Sequence, residues 1–346
     1  MTTPTPRARG LRMPAEWAPH RAAWLAFPYI AEEWSGLLEE AQEEHAGLCR
    51  AIAEEGGEDV ELLVRDAEVE ARARKLVGHV PNVRYHRMEY GDGWTRDTAP
   101  IVLADGEGQL ATVRFVFNGW GGKYVMPGDD QVAHQVARAM GYEEFVRREV
   151  LEGGAIDVDG EGTLLTTESC LFEPNRNPAM DREALDRLLA DCFGVSRIVW
   201  LKRGLLNDHT DGHIDTLARF VAPGKVVCMQ ARSSDDPNAE VMDELANDLA
   251  AATDAKGRKL EVIRIPSAGV LLDESGDVMP ASYCNFYIAN QAVIVPTYGS
   301  RFDDDAVAEL ARCFPGRRVI GRPSRAILRG GGSFHCMTQQ EPEAGR

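Results

Sequence analysis

The sequence predicts an α/β protein assembled from small repeated units, and three observations predict it. Helix-like and strand-like segments alternate from one end of the 346 residues to the other. Strand-like segments outnumber helical ones by roughly two to one, whereas a doubly wound sheet needs about one strand per helix. Breaks such as Ala222-Pro223-Gly224 and Asp159-Gly160 turn neighbouring strand-like runs into hairpins. The unit these imply is a hairpin, a helix and a further strand. No sequence repeat marks it, so any internal symmetry is one of structure.

Taken in order, residues 24–27 read as a short buried strand. Residues 33–55 have helical periodicity, with Leu37, Leu38, Ala41, Leu48 and Ile52 on the apolar side and Gly56-Gly57 as the stop. A strand over 60–64 and a helix over 66–76 follow. Later helices fall at 131–140, 181–192, 239–252 and 305–313. The strands around them fall at 111–117, 163–166, 197–200, 214–221, 225–229, 261–265, 283–288, 292–296 and 317–320. No linker divides the chain, so residues 10–340 are expected to form a single catalytic domain, with loose termini at 1–9 and 341–346.

Composition narrows the function. Hydrophobic residues make up 44%, enough for a sizeable core. Lysine and arginine number 38 against 55 acidic residues, a formal charge of −17. Such a surface repels nucleic acid and anionic membranes and favours small cations. No stretch has the length and apolarity of a membrane helix, and the three arginines in 1–12 have no apolar segment behind them. Seven cysteines at 49, 170, 192, 228, 284, 313 and 336 form no CxxC pair, which suits reduced thiols in a cytoplasm.

Four glycine-associated blocks carry chemistry-bearing residues. The first is Trp94-Thr95-Arg96-Asp97, within the run from Gly91. The second is Glu152-Gly153-Gly154, where glycines permit close backbone approach. Read alone, either is better explained by a turn. The third is Asp211-Gly212-His213-Ile214-Asp215. If Ile214 starts a strand, His213 and Asp215 share one face and Ile214 turns to the core. That pair suits acid–base work, metal ligation or a structural hydrogen bond. The fourth is Gly330-Gly331-Gly332-Ser333-Phe334-His335-Cys336. Its bare backbone can approach a ligand, and Cys336 beyond it is a candidate nucleophile. His335 would point away from Cys336 in an extended chain, so His213 is the expected base. Zinc held by Cys336, His213 and Asp215 is the metal alternative, without CxxC or HxxxH spacing to support it.

In combination these blocks resemble the agmatine deiminase family of the guanidine-modifying superfamily, related to bacterial peptidylarginine deiminase. The resemblance runs from Arg12-Met-Pro-Ala-Glu-Trp-Ala-Pro-His20 through Trp94-x-Arg-Asp-x-x-Pro100. It continues with Glu152-Gly-Gly, Asp159-Gly-x-Gly-Thr163 and Asn175-Arg-Asn-Pro178. Gly212-His-Ile-Asp215, Tyr283-x-Asn-Phe286 and Gly330-Gly-Gly-x-x-His-Cys336 complete it in the family's order.

The resemblance implies a five-bladed α/β propeller with pseudo-fivefold symmetry and a site on its axis. It also implies hydrolysis of agmatine to N-carbamoylputrescine and ammonia, a step of polyamine metabolism, with no metal or organic cofactor. Cys336 is similar to the family's nucleophile and His213 to its acid/base. Asp97 and Asp215 resemble the carboxylates that grip the guanidinium, and Glu152 the residue that orients the histidine. Trp94, Gly331 and Gly332 would line the substrate pocket. The implied partner is a small cationic guanidino compound; a homo-oligomer is compatible with the pattern. Rival readings are a deiminase of arginine or peptidyl-arginine, a non-catalytic guanidinium-binding protein, and a cysteine amidase. The clustered aspartates argue against the last, since a neutral amide needs no anionic grip. One segment departs from the family: Asn207-Asp208-His209-Thr210-Asp211 carries His209 where an acidic residue is usual.

Overall fold

A computed structural model describes residues 4–344, which form a mixed α/β protein of five small sheets. Four sheets repeat the expected unit. Ile101–Ala104 and Leu110–Val116 form a hairpin, then the helix Asp129–Met140 leads to the parallel strand Glu143–Val150. The same order recurs with Asp157–Val158, Thr163–Thr167, the helix Arg182–Phe193 and Arg197–Leu201. It recurs with Ala218–Ala222, Lys225–Gln230, the helix Ala239–Ala251 and Glu261–Pro266. The fourth copy is Tyr287–Ile288, Ala292–Thr297, the helix Asp303–Cys313 and Arg318–Pro323.

The first sheet is different. His20–Ala26 pairs in parallel with Asp59–Val64, which pairs in parallel with Val83–Arg87. Its antiparallel partner comes from the far end of the sequence: Gln339–Pro342 runs beside His20–Ala26, with Trp24 opposite Gln339. The expected boundary at residue 340 therefore falls inside a strand. Glu341 is buried there and accepts hydrogen bonds from Trp24 Nε1 at 2.7 Å and Tyr142 Oη at 2.6 Å. At the other end, Arg7–Arg9 forms a 3-10 turn and Arg9 pairs with Glu143 at 3.1 Å. Both ends are thus held by partners across the sheets; residues 1–3 and 345–346 lie outside the described residues.

Local chemistry sets the helices. Asp181 caps the helix Arg182–Phe193 by accepting from Ala184 N–H at 2.9 Å, and Gly194 ends it at φ 70°. Its buried residues Leu185, Leu188, Leu189, Cys192 and Phe193 recur at helical spacing and pack into one core cluster. The helix expected over 33–55 is shorter, running Leu38–Arg50 with a π turn at Ala51–Glu55. Ser35 and Gly36 both take positive φ, 50° and 80°, and break the segment before it. Among the described residues no helix is long and apolar enough to cross a membrane.

Two expected strands are corrected. Ile214–Thr216 forms a 3-10 turn, and the strand begins only at Ala218. Residues 283–286 are a turn, with only Tyr287–Ile288 extended. Both apolar runs are buried loops, which share a strand's composition but follow the demands of the side chains they present.

Candidate active site

Asp97 sits in a single helical turn, Thr95–Thr98, stitched to the segment that bears Cys336. Arg96 N–H donates to the Cys336 carbonyl at 3.1 Å, and Thr95 Oγ1 donates to the Met337 carbonyl at 2.8 Å. Asp97 Oδ1 accepts from Gly154 N–H at 2.9 Å, and Oδ2 from Trp120 Nε1 at 2.9 Å.

Gly154 explains the glycine pair after Glu152. A methyl group there would lie 2.5 Å from His213 Nδ1, 3.0 Å from Asp97 Oδ1 and 3.1 Å from Asp215 Oδ2. Only a residue without a side chain lets these three groups converge. His213 and Asp215 thus meet at one point although they lie at the entry to a 3-10 turn rather than on a strand. Ile214 between them is fully buried in the core, as expected. His213 is fixed through its loop: Thr210 Oγ1 accepts from its N–H at 3.0 Å, and Asp211 and Gly212 turn the chain at φ 68° and 99°.

Arg176 rivets this loop to Glu152. Its Nε reaches both Glu152 oxygens at 2.9 and 3.0 Å, its Nη1 reaches Asp211 at 2.7 Å, and its Nη2 reaches the Thr210 carbonyl at 2.9 Å. Glu152 Oε2 lies 3.9 Å from His213 Nε2, and Asp97 Oδ2 lies 3.7 Å from Nδ1. Neither separation is a hydrogen bond. Both ring nitrogens of His213 and Oδ1 of Asp215 are buried without a hydrogen-bond partner.

Cys336 lies just beyond the glycine loop and is 6% exposed. Asn285 clamps it, donating from Nδ2 to Sγ at 3.1 Å while its Oδ1 accepts from the Cys336 N–H at 3.2 Å. Sγ is 3.5 Å from Asp215 Oδ2. A cavity of about 210 Å³ opens above the sulfur, lined by Trp94, Asp97, Trp120, Gly330, Gly331 and Gly332 among others. A methyl group on Gly332 would lie 2.7 Å from Trp94 and 3.2 Å from Sγ, so the loop's bareness creates the access. Gly331, at φ 103°, would meet the His209 ring at 2.5 Å, and His209 stacks on Tyr124 at the cavity wall.

Burial dominates the charge states. With Asp215 and Glu152 nearby it pushes Asp97 up to about 8. It pulls His213 down to about 3. Burial, then Asp215 and Asp97, push the Cys336 thiol well above its usual range. Burial also works to raise Asp215, but the hydrogen bond and charge of His335 leave it below the ordinary carboxylate value. The site is thus a buried, anionic pocket in which burial favours the protonated forms of the Cys336 thiol and the Asp97 carboxyl group. A planar cation would satisfy the orphaned acceptors and relieve the repulsion between carboxylates.

The expected residues Cys336, His213, Asp97, Asp215 and Glu152 are therefore neighbours, with Trp94, Gly331 and Gly332 on the cavity wall. Sequence reasoning missed Asn285, Arg176 and Trp120. The first two lay in quoted motifs without a role. Trp120 stands at φ 52° in the glycine run Gly119-Trp120-Gly121-Gly122, the same kind of signal that marked the other blocks. His335 was misjudged. Residues 333–338 form a turn rather than an extended strand, so His335 and Cys336 both reach Asp215 Oδ2.

One group of possible metal ligands exists among the described residues: Glu152, Cys170 and His213, whose ligand atoms lie within 4.8 Å of one another. The Arg176 guanidinium occupies both oxygens of Glu152, and burial raises the Cys170 thiol well above its usual range. A cation there would face a fixed positive charge and an undissociated thiol. Turnover is expected to survive exhaustive chelation. Ammonia release before and after dialysis against a chelator, with metal analysis, checks this; stoichiometric zinc whose removal stops the reaction would overturn it.

Residues 12–342 match the family described as Porphyromonas-type peptidyl-arginine deiminase. The chain is similar to the agmatine deiminase of Pseudomonas aeruginosa (strain LESB58), 39% identical over 364 residues and 98% of each chain. It is 38% identical to the agmatine deiminase of Ectopseudomonas mendocina over 365 residues, again 98% of each chain. Among solved structures, the agmatine deiminase of Enterococcus faecalis superposes with a TM-score of 0.93 at 31% identity, covering 99% of both chains.

Proposed function

The chain belongs to the Porphyromonas-type peptidyl-arginine deiminase family, and from that membership and the site's geometry we propose that it hydrolyses agmatine to N-carbamoylputrescine and ammonia. The observation that carries the reading is the convergence of Asp97, Asp215 and His213 on Gly154, beside the Cys336 sulfur. Two carboxylates hold the planar guanidinium and present its central carbon to sulfur. The bound cation opposes the Asp215 charge that, after burial, raises the thiol's pKa, which favours the thiolate. Attack forms a C–S bond and a tetrahedral adduct. His213, neutral in its buried position, takes up the thiol proton and passes it to the departing nitrogen, which leaves as ammonia with the electrons of its C–N bond. The resulting S-alkylthiouronium on Cys336 is hydrolysed by water that His213 deprotonates, and the thiol leaves as the ureido product forms.

The proposal includes the arrangement of the five sheets as a five-bladed propeller with pseudo-fivefold symmetry, supported by the unit repeated in four of them. It also includes a cytoplasmic setting, supported by seven unpaired cysteines. At the cavity rim Glu32 and Glu33 have no ion-pair partner among the described residues, which suits a distal ammonium. A second reading, arginine as substrate, is favoured by Arg329, which lines the same cavity without an ion-pair partner among the described residues. Parallel kcat/KM measurements decide. Agmatine is expected to exceed arginine by about tenfold or more, because a pocket with two unpaired carboxylates and one arginine suits a dication better than a zwitterionic end. Equal values would remove the agmatine assignment and leave the guanidine chemistry standing.

A further inference from the structure

We propose that His335 is a positioning residue: supported from behind by Glu16, it fixes the plane of the Asp215 carboxylate so that one oxygen is committed to the protein and the other is left for the guanidinium. The inference rests on the guanidine-hydrolase reading and explains how its cation grip is set. His335 Nδ1 lies 2.7 Å from Asp215 Oδ2, and its Nε2 lies 2.9 and 3.1 Å from the two oxygens of Glu16. All three residues are 3% exposed or less. A proton on Nδ1 serves Asp215 Oδ2, and Nε2 faces the two oxygens of Glu16. Asp215 Oδ1 has no partner and is buried. It is the acceptor left over once Oδ2 is taken.

Glu16 in turn is the hub of a buried cationic group. Arg96 Nη1 lies 3.3 Å from its Oε1, and Arg219 Nη2 donates to its Oε2. Arg219 also donates to the Cys284 and Phe286 carbonyls at 3.2 and 3.0 Å, on either side of Asn285, the residue that clamps the Cys336 sulfur. The N-terminal motif around Glu16, which the reaction itself leaves unused, thereby joins the Asp97 turn, the Asn285 turn and His335 behind the site. The groups that face Asp215 are His335, His213, Arg219, Cys336, Asp97, Asp208 and Cys284; those that face His335 are Asp215, Glu16, Arg96 and Arg219. Burial opposes ionisation of Asp215, and the His335 contact outweighs it. A carboxylate free to rotate would present its unpaired oxygen elsewhere and lose its contact to the planar cation.

The test separates positioning from packing. Asparagine at 335 places an amide nitrogen near the position of Nδ1 and can still donate to Asp215; alanine cannot. Both remove the Glu16 contact and the ring. In the Cys336→Ser background, calorimetric titration with agmatine and with arginine measures the grip without turnover. Relative to Cys336→Ser alone, adding His335→Ala is expected to weaken the better ligand by about tenfold or more, the loss of one charge-assisted contact, while His335→Asn stays within about threefold. Thermal unfolding is expected to show similar losses of stability for the two. Equal affinities in the alanine and asparagine variants, whether both weakened or both unchanged, overturn the proposal. No binding of either ligand by Cys336→Ser with His335 intact would instead remove the guanidine reading, and this inference with it.

Discussion

Cys336→Ser abolishes turnover and leaves the fold intact. Serine is smaller than cysteine, and its oxygen can still accept from Asn285 Nδ2, so no buried donor is stranded. The chemistry, however, needs a thiolate, and a serine alkoxide lies out of reach in a pocket already crowded by Asp97 and Asp215. A loss of about a thousandfold or more in kcat is expected, as for other nucleophile replacements. Mass spectrometry of the wild-type protein quenched during turnover should find the adduct on Cys336. Cys49, Cys170, Cys192, Cys228 and Cys284 are buried thiols, and no cysteine besides Cys336 lines the cavity of the glycine loop. An adduct on another cysteine, or near-normal activity in the serine variant, refutes the assignment.

Asp97→Asn and Asp215→Asn each cost about a hundredfold or more in kcat/KM, because each removes a buried, charge-assisted contact worth ~2–5 kcal/mol when its partner is stranded. The two differ in their pH signature. Asp97 stands at about 8 in the empty site against an ordinary 3.8, so at neutral pH it is largely protonated. A guanidinium requires the carboxylate, so binding expels a proton and affinity rises as pH climbs toward 8. The folded protein keeps a proton that the unfolded chain releases, so this group's contribution to stability falls as pH rises from about 4 to 8. Calorimetry in buffers of different ionisation enthalpy should detect the released proton in wild type and lose it in Asp97→Asn. Asp215, held below the ordinary value by His335, should contribute none over that range. A wild-type affinity that is flat between pH 6 and 8 would contradict this account.

The repeating unit was legible because central strands announce themselves. The segments Asp59–Val64, Lys225–Gln230 and Ala292–Thr297 are almost wholly buried, and each reads as an apolar run. Among the edge strands, Arg197–Leu201, Glu261–Pro266 and Arg318–Pro323 were read as well, but two were not. Glu143–Val150, with the sequence EEFVRREV, is buried only at Phe145 and Val150, and Val83–Arg87 carries two arginines and a histidine. Charge on an edge discourages further pairing, and these two carry enough of it to read as loops. The site was legible where glycine and a reactive residue adjoin, as at Gly154 and Gly332, because close approach forbids a side chain. Arg176, Glu16 and Asn285 were illegible as participants. Their partners lie far away in sequence, and nothing local tells a buried arginine that orders a loop from one that pairs at the surface. His335 shows the converse fault: a turn, not the assumed extended chain, decides where neighbouring side chains point.

The pairing of Gln339–Pro342 with His20–Ala26 also has a consequence in time. A nascent chain is complete through four of its five sheets before Cys336 has been synthesised, and the strand that finishes the remaining sheet follows directly behind that cysteine. A prematurely terminated copy thus carries the carboxylates that attract a cation, but no thiol to attack it, and leaves one sheet edge open. The proposed nucleophile and the strand that closes the first sheet thus arrive together, within the same few residues.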